Sequence, residues 1–345
     1  MKKIFLIGLT AAAMMASCSN DETVEMAQQK AISFSNAFVN NGTRSIVDPS
    51  FTTENLTDFA VYGFTQNGQI FNGDKVSKGG SASTGWSYAN LQYWVPGNTY
   101  TFGAIAPHSV AANVSGVALP ENATKVEMKV AFTNTDAKQV DLLHAAPAQI
   151  TGVTATYTTP VSMTFNHQLS KVKFSFENAV GAGYNVKVSN VKITDAFKEG
   201  TLTVAAAGNT WDNQTDKTLE LNFGNVVADG ATADEAAVIA NTKTLESYNE
   251  KLMIPMGSSA IYTVTFTAEL YKGDVLLGTY NHRVEIKNVE FKLGYCYDFK
   301  ASLTHKNITA EDELNPIEFA VTKVEDWNKA DIDKDLNVPT TQSGI

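Results

Sequence analysis

The sequence predicts an all-β fold. Most of the 345 residues fall into short segments in which apolar and polar side chains alternate, the pattern of strands with one buried face. Glycine, asparagine, aspartate and proline separate these segments at short intervals, as in the turns between strands. Apolar residues at the spacing of an amphipathic helix are almost absent. With 43% hydrophobic and 18% charged residues the chain is globular, and its length allows two domains.

Residues 1–17 have the pattern of a bacterial lipoprotein signal peptide. Two lysines precede an apolar run over residues 4–15 that is too short for a stable membrane span, and small residues lead to Cys18. We expect cleavage before Cys18, a lipid on its thiol and anchoring in the outer membrane, because the acidic residues that follow are similar to signals for export to the outer surface. The alternative is an ordinary secreted protein with a cysteine at this position.

Residues 18–44 are predicted to form a lipidated propeptide that contains the first β-strand, in residues 31–39. Large apolar side chains alternate with small polar ones there, as in a half-buried strand that fills a groove. These side chains are Ile32, Phe34 and Phe38. The polar connection that follows contains Arg44 and Ser45, in the kind of exposed segment where proteases cut. A cut between them would separate the anchor and the first strand from the rest, and the vacated groove would then accept another strand.

Residues 45–160 are predicted to form an N-terminal domain. The expected strands lie at residues 59–64, from residue 70 onward, at 93–102 with an internal turn, and at 126–132. Asn67 and Gly68 suit a two-residue hairpin turn, because both tolerate positive φ angles. A Gly- and Ser-rich stretch at residues 78–85 predicts a mobile loop. The Thr-rich run 151–159, closed by Pro160, is the predicted domain boundary.

Residues 161–345 are predicted to form a C-terminal domain. The block 161–176 ends in a strand with an apolar face, which comprises Val172, Phe174 and Phe176, and a polar face, which comprises Lys171, Lys173 and Ser175. We expect that strand to be half-buried. Further strands are expected at 186–193, 261–270, 275–280, 284–291 and 295–303, with a hairpin turn at 272–274. Residues 228–250 could hold a short helix or a long loop, and Cys296 is expected to be a buried strand residue.

The tail at residues 330–345 is a candidate donor strand. Apolar side chains occupy one face, interrupted by Lys334; they are Ala330, Ile332, Leu336 and Val338. A strand with an apolar face at a chain terminus can add itself to a sheet edge of a neighbouring molecule. The alternative is a final strand that pairs within its own domain.

No catalytic constellation can be assembled from the sequence, so the chain is interpreted as a non-enzyme without a cofactor. It has no nucleophile elbow, no phosphate-binding glycine loop and no Cys-x-x-Cys pair. The five histidines are scattered. The most notable is His167, whose ring we expect to make a structural hydrogen bond to one of its neighbours Asn166, Gln168 and Ser170.

The sequence contains only weak indications of metal or sugar binding and argues against nucleic-acid binding. The spacing of Asp331, Asp333 and Asp335 is similar to the start of a calcium loop, but the glycine and the terminal glutamate of such a loop are missing, so no metal site is predicted. A net charge of −10 argues against a nucleic-acid partner. Trp86 and Trp211 stand in loop-like surroundings and are candidates for stacking on a glycan.

Several blocks of the sequence resemble the fimbrillin family of Bacteroidetes, the Mfa-like or type V pilins. They are the lipoprotein signal, the first strand with Thr43 and Arg44 after it, residues 93–107, residues 141–145, the block 165–174 and the pair Val324 and Trp327. The resemblance spans nearly the whole mature chain. The block around His167 is its most specific part.

The resemblance implies two transthyretin-like β-sandwich domains of Greek-key type in tandem. It also implies export as a lipoprotein, cleavage by a trypsin-like or gingipain-like, arginine-specific protease, loss of the first strand and polymerisation by strand donation. Arg44 matches the cleavage position, and residues 32–39 match the removed strand.

Two hypotheses about function follow. The first is a structural fimbrial subunit at the cell surface that joins to like or related subunits by β-strand addition and serves adhesion to a host or bacterial surface ligand. The second is a monomeric surface lipoprotein that binds glycans through Trp86 and Trp211, or a fimbrial tip or anchor protein that does not polymerise.

Overall fold

The computed structural model describes residues 30–39, 56–79, 85–256, 260–308 and 317–326, and within them the all-β prediction is confirmed. A 3-10 helix at His108–Asn113 lies among 21 strands. The first strands are β1 (Phe34–Val39), β2 (Asp58–Thr65), β3 (Gly68–Lys78), β4 (Trp86–Ser87), β5 (Tyr100–Ala106), β6 (Val114–Ala118), β7 (Glu127–Thr133), β8 (Leu143–Ala145), β9 (Val161–His167) and β10 (Ser170–Ala179). The others are β11 (Tyr184–Ala196), β12 (Glu199–Val204), β13 (Thr210–Asp212), β14 (Leu219–Gly224), β15 (Val226–Val227), β16 (Thr244–Ser247), β17 (Lys251–Met253), β18 (Tyr262–Lys272), β19 (Val275–Ile286), β20 (Tyr295–Thr304) and β21 (Phe319–Asp326).

Seven strands from the first half of the chain form one sheet, in the order β1-β9-β8-β5-β2-β3-β4. Its central strands are buried on both faces. Successive side chains of a strand point to opposite faces of the sheet, so alternate residues belong to different cores. Phe59 and Val61 of β2 lie in one hydrophobic cluster, whereas Ala60 and Tyr62 of the same strand lie in another. The sheet therefore separates two cores. We call the first the aromatic core, since Phe34, Phe59, Phe71, Trp86, Trp94 and Phe102 belong to it.

The second cluster, which we call the main core, extends from the other face of this sheet into the space between two sheets from the second half of the chain. One sheet has the order β15-β16-β10-β20-β21 with β17 also paired to β10, and the other has the order β14-β11-β18-β19. Phe174 and Phe176 of β10 meet Phe223 and Phe266 of the opposite sheet, with ring centroids 4.7 and 4.9 Å apart. These edge-to-face contacts fix how the two sheets pack against each other.

The predicted domain boundary at residues 160 and 161 does not coincide with a break in strand pairing. β9 begins at Val161 and pairs with β1 and β8 in the seven-stranded sheet. In addition, β12 from the second half pairs with β7 from the first half, in a sheet of order β13-β12-β7-β6. Pairing between strands distant in sequence thus continues across the local change in composition after Pro160, and the division into two domains at this position stays a prediction.

β10 is buried on both faces, and the expectation of a half-buried strand is wrong. Lys171 and Lys173 are each 4% exposed, although they alternate with the apolar residues of this strand. β10 lies inside its sheet, and the ammonium group of Lys173 is 2.7 Å from the carboxylate of Glu246 and 3.7 Å from that of Asp298. Burial alone would lower the pKa of Lys173, but these carboxylates raise it above its usual value. Ion pairs with Glu246 and Asp298 therefore satisfy the charge of Lys173, on the face of β10 that was expected to be in contact with water.

Other local predictions had mixed outcomes. The hairpin expected around Asn67 and Gly68 forms, but residues 66 and 67 make its turn and Gly68 begins β3. The hairpin turn at 273–274 and the burial of Cys296 in β20 are confirmed. The two strands expected at 275–280 and 284–291 are one continuous strand, β19, that ends at Ile286. Residues 228–250 hold the short strand β16 and loops, and no helix is found in this stretch of the described chain. The calcium-like aspartates at 331–335 lie outside the described residues.

His144 is a neutral, buried histidine on β8. Its Nδ1 lies 3.1 Å from the side-chain amide nitrogen of Asn209, and within the described residues its Nε2 has no hydrogen-bond partner. Burial, and secondarily the charge of Lys125, lowers the pKa of His144 to about 4. The folded protein therefore resists protonation at this position.

We predict that acid destabilises the protein through His144. Its pKa falls from 6.5 to about 4 on folding, so between these pH values the unfolded chain binds a proton that the folded chain does not. The unfolding free energy then decreases as the pH falls through this interval, by up to about 3 kcal/mol. Denaturant titrations of the wild-type chain and of His144→Gln should give a steeper pH dependence for the wild type. Equal slopes would contradict the prediction.

Candidate functional site

The candidate site is the groove that residues 30–39 occupy, bounded by β9 on one side and by residues 92–94 on the other; we call it the β1 groove. The amide of Ile32 donates to the carbonyl of Gln92 at 2.7 Å, and the amide of Trp94 donates to the carbonyl of Lys30 at 2.9 Å. On the other side the amide of Val161 donates to the carbonyl of Ser33 at 2.8 Å. Residues 30–39 therefore connect two strand edges that would otherwise be open.

The two sides of the groove pair with β1 in different directions. β1 runs parallel to β9, whereas Ala31 and Tyr93 form an antiparallel bridge. The register with β9 shifts between Ser35 and Phe38, so that Phe38 is paired with Thr164 and Val39 with Phe165. The regular alternation predicted for Ile32, Phe34 and Phe38 therefore holds only as far as this irregularity.

Phe34 fills the centre of the aromatic core and is 0% exposed. Four rings surround its own at centroid distances of 5.6 to 6.1 Å; they belong to Tyr88, Phe71, Phe59 and Phe102. Ile32 is 1% exposed, and its carbonyl accepts a hydrogen bond of 2.7 Å from the hydroxyl of Tyr88. Burial of side chains of this size stabilises by roughly 1.5–3 kcal/mol each, and each aromatic pair adds roughly 0.5–1.5 kcal/mol.

Gly63 on β2 makes room for this arrangement. A Cβ atom at this position would lie 2.9 Å from the ring of Phe71 and 3.0 Å from that of Phe102. Both rings contact Phe34. A larger residue at position 63 would push these rings into the space that Phe34 fills.

Several predicted site residues lie outside the described part of the chain. They are the lipidation site Cys18, the cleavage pair Arg44 and Ser45, and the candidate donor residues Ile332, Leu336 and Val338. Of the predicted removed strand, the structure places the side chains of Ile32 and Phe34 in the groove and gives the backbone register of Phe38.

Trp86 is not available for stacking on a sugar, and this part of the expectation is corrected, whereas Trp211 is only partly buried and stays a candidate. The indole of Trp86 is buried in the aromatic core, 5.3 Å from the ring of Phe59. The indole of Trp211 is half-buried against Phe132, and its Nε1 donates to the carbonyl of Gln168 at 2.7 Å. Short loop-like segments around both residues pack onto larger sheets, which local sequence cannot reveal.

His167 has a structural partner, though not one of its sequence neighbours. Its Nδ1 lies 2.8 Å from Oδ2 of Asp141, and the imidazole is fully buried. The pairing of Leu143 with His167 between β8 and β9 brings the two residues together. The contact fixes the end of β9, which is one wall of the β1 groove.

The described residues offer neither a cluster of metal ligands nor a membrane-spanning helix. They contain no group of three or more His, Cys, Asp or Glu side chains placed to hold a metal ion. None of the helices described is both long and apolar enough to cross a bilayer.

The fold and the groove define a class of all-β protein in which an N-terminal strand completes a sheet. The sequence model of the fimbrillin-like family matches residues 43–327. The chain therefore belongs to the fimbrillin-like family.

A solved fimbrial protein shares this fold at low sequence identity. A fimbrial protein from Bacteroides vulgatus has a TM-score of 0.58 and 14% identity, over 86% of this chain and 99% of that one. A candidate cell adhesion protein from Bacteroides uniformis has a TM-score of 0.46 and 18% identity, over 88% and 99% of the two chains. A search of curated proteins gives no match.

We predict that Phe34→Ala destabilises the protein strongly. Removing a ring from the centre of a packed cluster leaves a cavity, and the unfolding free energy should fall by about 3–5 kcal/mol. Ser35→Ala is the matched control, because Ser35 is only partly buried, and should change the free energy by less than about 0.5 kcal/mol. Denaturant unfolding followed by tryptophan fluorescence measures both. Equal midpoints for the two variants would show that Phe34 is not a principal contact of the groove.

Proposed function

We propose that this protein is a non-enzymatic structural subunit of a fimbrium. It is exported as a lipoprotein through Cys18, cut between Arg44 and Ser45 by an arginine-specific protease and assembled at the cell surface by strand donation, and the resulting fibre serves adhesion. The burial of Ile32 and Phe34 in the β1 groove carries this proposal. Membership of the fimbrillin-like family supports it.

The position of Arg44 explains how cleavage could release the first strand. It follows β1 closely in sequence, so a cut there leaves residues 30–39 attached to the body only by non-covalent contacts. If these residues depart, β9 and residues 92–94 become open edges, and the rings around Phe34 become exposed to water. An open edge beside an exposed apolar cluster favours addition of a new strand.

The tail at residues 330–345 of a neighbouring subunit is the proposed donor. Aligned in the direction opposite to β1, Val338, Leu336 and Ile332 fall on the positions of Ile32, Phe34 and Phe38. Lys334 then falls on Asn36, which is also polar. Aligned in the same direction with Ala330 on Ile32, Ile332 falls on Phe34, Lys334 on Asn36 and Leu336 on Phe38. We choose the reversed direction because Val338 fills the position of Ile32 better than the smaller Ala330 would.

We predict that cleavage at Arg44 triggers polymerisation. The chain contains two arginines, Arg44 and Arg283, so an arginine-specific protease has few choices. The full chain in mild detergent is treated with a trace of such a protease, the products are weighed by mass spectrometry, and unboiled samples are run on a denaturing gel. One cut after Arg44 followed by a ladder of detergent-resistant multimers is expected.

Arg44→Lys is the matched control, because it keeps the charge but removes the cleavage site, and it should stay intact and monomeric. A wild-type chain that is cut after Arg44 and stays monomeric would overturn the polymerising role. The alternatives are then a fimbrial tip or anchor protein, or a monomeric surface lipoprotein.

We predict that polymerisation tolerates a polar substitution at Lys334 of the tail but not at Leu336. Leu336→Asn places a polar group where the groove receives Phe34 and should abolish the multimer ladder after cleavage. Lys334→Asn falls on the position of Asn36 and should leave the ladder intact. If both variants polymerise as the wild type does, the tail is not the donor; if neither does, the reversed alignment is wrong.

A further inference from the structure

A shallow depression of about 410 Å³ lies on the sheet β14-β11-β18-β19, away from the β1 groove. Polar side chains from three adjacent strands line it; they are Asn190, Lys192, Thr265, Thr267, Asn281 and Arg283. Its volume falls within the roughly 300–1,000 Å³ of small-molecule sites. Nothing in the proposed assembly uses this surface.

The strand register explains why these residues meet. Thr265 is paired with Lys192 of β11 on one side and with Arg283 of β19 on the other. Thr267 is paired with Asn281. Side chains of paired residues share a face of the sheet, so the two cations flank the hydroxyl of Thr265, and Thr267 lies next to Asn281.

An irregularity in the pairing of β11 places Asn190 at the rim of the depression. The pairing of β11 with β18 shifts between Ser189 and Lys192, and Asn190 within this shift has a φ angle of 56°. Positive φ is uncommon for residues other than glycine, although asparagine tolerates it best. The shift adds the Asn190 amide to the lining.

The lining itself carries only positive charge, although the carboxylates of Glu220 and Glu285 interact with Lys192 and Arg283 from outside it. It contains two cations and no carboxylate. Lys192 is paired with Glu220 at 2.7 Å, but Arg283 has no carboxylate within 4.0 Å among the described residues, and its Nη2 lies 3.4 Å from Oγ1 of Thr263. A guanidinium offers a planar set of donors that fits a carboxylate or a sulfate.

The neutral groups of the lining suit hydroxyls. Thr267 donates to Oδ1 of Asn281 at 2.9 Å, which turns the amide N–H groups of Asn281 toward other acceptors. Threonine hydroxyls both donate and accept. A ligand that matches this set carries one anionic group and several hydroxyls.

We propose that this depression binds an acidic saccharide, a sugar that carries a carboxylate or a sulfate. The anionic group binds Arg283, with Lys192 nearby, and the sugar hydroxyls bind Thr265, Thr267 and Asn281. Binding needs neither cleavage nor polymerisation, so it can be tested on the uncut chain.

The test uses three trisaccharide or disaccharide probes that differ in charge: 3′-sialyllactose with a carboxylate, 3′-sulfolactose with a sulfate, and neutral lactose. Titration calorimetry or saturation-transfer NMR on the full Arg44→Lys chain in detergent measures each affinity. We expect at least one anionic probe to bind and lactose not to bind. Arg283→Gln should weaken that binding by about tenfold or more, because it removes a charge-assisted contact.

Lys129→Gln is the matched control, because it removes one positive charge from an exposed position on β7, in another sheet, and should leave the affinity within about twofold. Preference for one anionic probe identifies the group that Arg283 recognises. The proposal is overturned if neither anionic probe binds up to about 10 mM, if Arg283→Gln binds as the wild type does, or if free sulfate or acetate binds as tightly as the sugars.

Discussion

The contact between Phe34 and the surrounding rings is the interaction on which the N-terminal sheet depends. Phe34 is the point at which β1, β2, β3 and β5 meet, through Phe59, Phe71 and Phe102. The sheet can close around these rings only because residues 30–34 reach β9 on one side and residues 92–94 on the other. A single short segment thus completes both the hydrogen bonding and the packing of this half of the protein.

The second core would hold the sheet together if that segment were exchanged as proposed. Ala60, Tyr62 and Ile105 line the opposite face of the same sheet and pack into the main core, together with Val126 and Met128. Loss of β1 would open the aromatic core, and neither Ile32 nor Phe34, the described apolar side chains of this segment, belongs to the main core. Strands β2 and β5 would therefore keep one packed face, which fits a groove that can be emptied and refilled without general unfolding.

The local parts of this architecture could be predicted from the sequence, and the non-local parts could not. Alternation of Ile32 and Phe34 indicated a strand with a buried face, and Asn67 with Gly68 indicated a hairpin, because both features depend on near neighbours. The same alternation failed for Lys173, since its burial depends on Glu246 and Asp298 from distant strands. The contact of His167 with Asp141 is likewise made between residues distant in sequence. The alternation around residues 92–94 predicts extended chain, but it does not indicate that this chain lies next to residue 31.

The irregular pairing of β1 decides what a replacement strand must supply. Its ladder with β9 is interrupted between Ser35 and Phe38, and its contact with residues 92–94 is an isolated bridge, so few backbone hydrogen bonds hold it in register. Among the described side chains of this segment, Ile32 and Phe34 are the buried ones and supply most of the stabilisation. A donor needs apolar groups at these two positions and can differ beyond the irregularity. Val338 and Leu336 meet this requirement in the reversed direction, and Lys334 falls where the groove makes the least regular contact.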